Sequence, residues 1–252
     1  MKAALTVDIR KKCFAAPDGS FRQILRDVAF RIQPGEFAAL VGPSGCGKTT
    51  LLNIIAGLDE NFAGSVRFDG KQPADMRIGY VFQQPRLLPW RTVFENIALV
   101  LPRGTASSAI LRLIDEVGLS DSRGVYPHRL SLGMARRVAI ARAFAVAPEL
   151  LLMDEPFVSL DTAAVTRLRA LLVGRWRSHS TTVLFVTHDL GEAVELADRI
   201  LVLSDAPGRL LADVPVPLSR EQRSDREAVE AVRADIIAKQ RQLLAADALP
   251  RA

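Results

Sequence analysis

An α/β fold with a mainly parallel sheet is predicted by three features of the sequence. Leu150–Met153 is a short, wholly apolar run, and Thr181–Thr187 is a second one rich in β-branched residues; both suit strands covered on two faces. Between them, Val165, Leu168 and Leu172 recur at helical spacing along a segment that begins near Asp161. A third buried run, Phe37–Val41, passes through a glycine-bearing loop into a helix opening at Lys48. Buried strands alternating with amphipathic helices pack as a parallel sheet with helices on its faces.

The chain opens differently. Leu5, Val7 and Ile9 alternate with polar residues, as do Val28, Phe30 and Ile32, which predicts a half-buried antiparallel β layer at the N-terminus. A Pro17-Asp18-Gly19 turn lies between those strands, and Ala15–Arg22 reads as a small insertion. Pro34-Gly35 ends the second strand. Val66 and Phe68 alternate again, and Ile78, Tyr80 and Phe82 mark one more strand before Gln83-Gln84-Pro85 breaks the pattern. The signals then turn helical, giving a helical lobe of about 86–147 inserted into the α/β core. Thr92 with Glu95 has the form of a capping box, and Ile110, Leu113, Ile114 and Val117 repeat at helical spacing. After Ile200–Leu203 and a Pro207-Gly208 turn comes one more strand; Val229, Val232, Ile236 and Leu243 then line an amphipathic terminal helix. The expected division is one domain over 1–215, with the helical lobe inserted in it, and a tail over 216–252.

Residues Phe37 to Gly57, FAALVGPSGCGKTTLLNIIAG, carry the chemistry. Gly42, Gly47, Lys48 and Thr49 fit G-x-x-x-x-G-K-[ST], in which loop N–H groups wrap a phosphate chain. The loop spans Gly42, Pro43, Ser44, Gly45, Cys46, Gly47, Lys48, Thr49 and Thr50. Its glycines allow close backbone approach, and the helix at Lys48 presents unpaired N–H groups to the anion. Lys48 is expected to reach the β- and γ-phosphates, and Thr49 to offer a hydroxyl to Mg²⁺. Asp154 and Glu155 stand at the mouth of a buried strand. The first suits Mg²⁺ held through water, and the second suits orienting or polarising an attacking water. His188 and Gln83 each follow a strand, where they could meet the γ-phosphate, the metal or that water. Ligands of parallel sheets lie beyond the carboxyl ends of the strands, where Gly42, Asp154 and His188 all fall.

Composition narrows the class. Apolar residues make up 49% of 252, yet no run approaches the roughly 18 uninterrupted apolar residues of a membrane span. The N-terminal MKAALTVDIRKK lacks the apolar core of a secretory signal, so a cytosolic location is expected. Cys13 and Cys46 are expected to be reduced thiols. The net charge of +5 is scattered through helices instead of gathered with aromatics into one block. It reads as ordinary solvated faces with some attraction to anionic lipid, and no nucleic-acid partner is expected.

Taken together, the pieces resemble the ATP-binding subunit of an ABC transporter, from about Leu5 to about Val214. GPSGCGKTT matches that family's Walker A motif, VFQQP its Q-loop, LLLMDEP its Walker B, SLD (Ser159 to Asp161) its D-loop and THD (Thr187 to Asp189) its switch histidine. The resemblance implies a P-loop NTPase (RecA-like) core that takes ATP and Mg²⁺. Thr49, Gln83 and Asp154 would face the metal, with Gln83 also sensing the γ-phosphate. Glu155 would be the catalytic base, His188 the switch, and Asp161 would act across a dimer interface. The signature LSGGQ stands here as Leu130-Ser131-Leu132-Gly133-Met134. Ser131 and Gly133 keep a hydroxyl and a glycine amide for a phosphate held by a second subunit, and Leu132 replaces a glycine. For the aromatic that stacks on adenine, Phe14 is preferred and Phe21 competes.

PRLLPWRTVFENIAL, Pro85 to Leu99, is similar to the corresponding stretch in importers of the nitrate, sulfonate and taurine type. There it meets a short cytoplasmic helix of the membrane subunit, for which Leu87, Leu88 and Trp90 would be anchors. The implied partners are a second ATPase subunit, expected to be identical, transmembrane permease subunits and, indirectly, a solute-binding protein. The implied place is the cytoplasmic face of the inner or plasma membrane. Two other readings share the phosphate loop: a soluble ABC ATPase acting on nucleic acid or ribosomes, and a small-molecule kinase.

Overall fold

The structure, a computed structural model, describes residues 5–247 except positions 18, 69, 159, 180 and 220. They divide into two compact units, one running to Met76 and resuming at Leu184, the other spanning Arg77–Val183.

In the first unit, β1 (Leu5–Ala15) pairs antiparallel with β2 (Phe21–Ile32) and β4 (Ala63–Phe68) pairs on the other edge of β1, in the order β2-β1-β4. Leu5, Val7, Ile9, Val28, Ile32 and Val66 are buried, as alternation requires. The register of β1 shifts at Ile9/Lys11 against β4 and at Lys12/Cys13 against β2. That bulge flips the facing of the strand and buries Lys12, whose Nζ donates to Asp59 Oδ1 at 2.6 Å and to Asn61 O at 2.8 Å. The stretch Ala15–Arg22 forms the end of a long ribbon. Phe14 pairs with Arg22 and Ala15 with Phe21, so both strands simply extend to a short turn.

The parallel part of this unit is built on β3 (Phe37–Val41), every residue of which is buried. It pairs in parallel with β8 (Arg199–Leu203), which pairs antiparallel with β9 (Leu210–Pro215). The strand β7 (Thr182–Val186) enters from the other unit, and with it the order is β7-β3-β8-β9. Phe37 and Phe185 pack edge to face with centroids 6.1 Å apart. The helices of this unit are α1 (Lys48–Ile55), α6 (Leu190–Leu196) and α7 (Arg226–Asp247), the last packed on α6 and β9 with Val229 and Ile236 buried.

The second unit holds β5 (Ile78–Val81) and β6 (Leu150–Asp154), paired in parallel, with the start of β7 beyond β6. The strand that Ile78, Tyr80 and Phe82 mark in the sequence buries its other face, at Gly79 and Val81. A Cβ on Gly79 would lie 2.6 Å from the Ala143 carbonyl, so the strand fits tightly against α4 (Leu132–Ala145) only as glycine. Tyr80 and Phe82 stack on each other at 3.9 Å instead. The helical elements are α2 (Val93–Ala98), α3 (Ser107–Glu116), α4 and α5 (Thr162–His179). The capping box on α2 forms as the sequence predicts, with Glu95 N donating to Thr92 Oγ1 at 3.2 Å and Thr92 N to Glu95 Oε2 at 2.8 Å. Among the described residues, no helix is long and apolar enough to cross a membrane.

Candidate active site

The phosphate loop leaves the buried β3 at Gly42 and ends where α1 opens at Lys48. Two of its glycines are forced by their surroundings. A Cβ on Gly42 would meet Cys46 Sγ at 3.0 Å and Leu203 Cβ at 3.1 Å. Gly47 has φ +103°, and a Cβ there would meet Leu25 Cδ2 at 2.7 Å and Ile24 Cγ2 at 3.0 Å. The β1–β2 ribbon therefore passes against the loop, with Phe14 two pairs farther out on it and half exposed. Ser44, Gly45 and Thr49 face solvent, while Pro43 and Thr50 are half-buried.

Lys48 is buried, and its Nζ lies inside the loop, donating to Gly42 O and to Pro43 O at 2.8 Å each. Its third neighbour is Cys46 Sγ at 4.0 Å. Burial pushes the Cys46 thiol up, and the Lys48 charge acts against that. A free thiol at that position fits the loop as a small apolar group.

Also in the first unit, His188 lies just past the end of β7 on an exposed turn. Its neighbours fix that turn. Asp189 N donates to Thr187 Oγ1 at 3.0 Å, Thr187 Oγ1 to Glu192 Oε2 at 2.8 Å, and Asp189 Oδ1 caps α6 by accepting from Gly191 N at 2.7 Å.

In the second unit, Asp154 ends β6 fully buried, and Glu155 follows it half-buried with φ +48°. A glutamate held in the left-handed region is strained, and such strain persists where surrounding structure enforces it. The exposed Gln83 reaches the same carboxylate, its Nε2 donating to Glu155 Oε2 at 3.3 Å. The structure thus joins two residues 72 apart in sequence, both predicted for the site. The Tyr80 hydroxyl is pushed up by burial first and by the Asp154 carboxylate second, which keeps a neutral ring beside that acid.

Ser131 is the N-cap of α4, its Oγ accepting from Met134 N at 3.2 Å, so it and Gly133 stand at a helix start as expected. Leu132 is the first residue of that helix and is 50% exposed. Asp161 caps α5, Oδ1 accepting from Ala164 N at 2.8 Å. Ser159, the first residue of the SLD motif, lies outside the described residues.

Three polar side chains that the motifs did not single out organise this region. Asn96 is fully buried; its Oδ1 accepts from Leu88 N, and its Nδ2 donates to the carbonyls of Leu88, Arg91 and Thr92. Arg142 donates to Pro85 O and Arg86 O, both at 3.0 Å. Arg136, 7% exposed, donates from Nη2 to Gln83 O at 3.4 Å. The only sequence signal for the two arginines is their place in ARRVAIARAF, guanidiniums on an otherwise apolar helix.

Residues 25–158 match the family described as ABC transporter. The aliphatic sulfonates import ATP-binding protein SsuB 2 of Burkholderia cenocepacia (strain HI2424) is 44% identical over 219 residues, 86% of this chain and 81% of the relative. SsuB of Bacillus subtilis (strain 168) is 40% identical over 240 residues, 94% of each chain. Among solved structures, an ATP-binding cassette described as a dimeric post-hydrolysis state bound to ADP and Pi superposes with TM-score 0.76 at 30% identity, over 85% of this chain and all of that one. A dimeric bacterial ABC transporter cassette gives 0.77 at 31% over the same shares. With Gly42 after β3, Asp154 ending β6 and His188 after β7, these likenesses make the chain a member of the ABC transporter family.

Proposed function

We propose that this chain is the ATP-hydrolysing subunit of a bacterial importer, and that two copies close around two ATP·Mg²⁺ to drive a separate membrane permease. The observation that carries this is the identity of 40–46% to aliphatic sulfonate import ATP-binding proteins, over most of both chains. It also favours a sulfonate over nitrate as the class of solute. The chain would work at the cytoplasmic face of the membrane.

The residues present fit ATP and Mg²⁺. The loop is packed so closely at Gly42 against Leu203 and at Gly47 against Ile24 and Leu25 that neither has room for a Cβ, and it holds a buried ammonium among carbonyls that phosphate oxygens can replace. Thr49, Asp154 and Gln83 are the hard oxygen donors that Mg²⁺ prefers when phosphates complete its shell. Bound there, Mg²⁺ neutralises charge developing on the β- and γ-phosphates. Lys48 then draws the phosphates into the loop. Glu155 takes a proton from the attacking water, with Gln83 holding its carboxylate, and His188 contacts the γ-phosphate. Ser131, Gly133 and Asp161 serve the nucleotide of the partner copy.

Phe14 is the proposed adenine platform. It is 45% exposed, and the Lys12 ammonium lies 4.5 Å from its ring centroid. Phe21, 76% exposed, sits at the ribbon's end. Phe14→Ala is expected to raise the Kd for ATP by roughly 5- to 100-fold, the range of base–aromatic stacking, with Phe21→Ala unchanged; the reverse order in a binding titration would reassign the platform.

Purification from the native membrane tests the whole reading. A permease and a solute-binding protein should be recovered with the chain, and a sulfonate-loaded binding protein should stimulate hydrolysis. Recovery of the chain with RNA or DNA alone, and hydrolysis stimulated by nucleic acid, would overturn it.

A further inference from the structure

The bulge in β1 turns the Lys12 side chain inward, where it is 2% exposed. Its ammonium donates to Asp59 Oδ1 and to Asn61 O, and it also lies over the face of the Phe14 ring. Asp59 Oδ1 accepts a further bond from Asn61 N at 3.1 Å, so the anchor of the ammonium is itself fastened. Phe14 stands two residues farther along β1, on the same face of the strand. It is half exposed while the ammonium is buried, so the charge lies on the inner side of the ring and the outer side is left for a ligand. This cluster touches the phosphate loop by two routes. Leu25, the cross-strand partner of Lys12, packs on Gly47, and Asp59 follows α1, the helix that opens at Lys48.

We propose that Lys12, fixed by Asp59, is a positioning residue for the nucleotide base and sets base affinity through Phe14. The inference rests on Phe14 being the adenine platform and adds what prepares the ring for that task. Two effects contribute. Aromatic faces are negative, so two stacked rings repel at their faces. A cation under the inner face of Phe14 draws π density toward itself and lowers that repulsion for a base arriving on the outer face. The fixed ammonium also holds the ring, which leaves less rotamer freedom to be lost when the base binds. Because the Asp59 carboxylate neutralises Lys12, the pair adds little attraction for the phosphates. Its effect should therefore follow the base and not the triphosphate.

The experiment is a calorimetric titration of the full chain with ATP and, separately, with inorganic tripolyphosphate, both in Mg²⁺. The variant Lys12→Met with Asp59→Asn removes both charges together, because removing one alone would leave a buried ion without its partner. It is expected to raise the Kd for ATP roughly 3- to 30-fold, the range of a cation–ring contact, and to leave tripolyphosphate unchanged. In a Phe14→Ala background the same two substitutions should no longer alter ATP affinity, since the ring through which they act is gone. Phe14→Ala by itself checks the platform reading: if it leaves ATP binding intact, the platform and the role of Lys12 fall together. If Phe14→Ala weakens ATP and the charge-free variant does not, only the role of Lys12 falls. Equal loss of ATP and tripolyphosphate, or an equal loss of ATP with and without Phe14, would make the pair a support of the fold and overturn the proposal.

Discussion

The Glu155→Gln chain is expected to bind ATP as the parent does and to release phosphate roughly 100- to 10,000-fold more slowly, the span of general-base catalysis. Glutamine has the shape of glutamate and can keep the contact with Gln83, so the variant removes proton affinity and little else. The same left-handed backbone is kept, and the fold is expected to hold. Because the closed dimer cannot spend its nucleotide, ATP and Mg²⁺ should shift the variant from monomer toward dimer on size exclusion. Single-turnover phosphate release alongside a nucleotide titration separates the two effects. Hydrolysis close to the parent rate would remove Glu155 from the role of base.

Lys48→Ala is expected to act on binding first. A hydrogen bond to a charged group contributes about 1.5–3 kcal/mol, so loss of the ammonium should weaken ATP roughly 10- to 100-fold. The magnitude has an unusual internal control, because the same ammonium bridges the carbonyls of Gly42 and Pro43. If the loop depends on that bridge for its shape, ADP and ATP should weaken together and melting temperature should fall. If the ammonium serves the terminal phosphate, ATP should lose more than ADP. Unchanged affinity for both in a calorimetric titration would contradict the assignment.

The phosphate loop, the carboxylate pair and the histidine were legible in the sequence because each depends on residue type at fixed spacing beside a buried strand. Backbone geometry then does the rest, as Gly42 and Gly47 show. The facing of β5 was not legible. Its close contact is made by Gly79, which has no side chain to mark a face, and the visible alternation of Ile78, Tyr80 and Phe82 belongs to the other side. Lys12 was hidden for a related reason: a bulge reverses the alternation of β1 midway, so a lysine that the spacing of Leu5, Val7 and Ile9 would turn outward is buried on Asp59. Arg136 could not be found from spacing at all, since its acceptor, the Gln83 carbonyl, is 53 residues away. The ABC transporter family nonetheless followed from the content and order of the motifs, which do not depend on the facing of any one strand.

Asn96 carries a last consequence. Its single amide fastens Leu88, Arg91 and Thr92 from within, at both ends of the segment that displays Trp90, 68% exposed, to solvent. A large aromatic on a loop fastened in that way arrives at a partner already in its final conformation. Little chain entropy remains to be lost on contact, so a few anchors suffice and a small interface can be firm. Stiffness also works in the other direction: a displacement forced on the loop during ATP turnover would be delivered to the partner as motion instead of being absorbed as bending.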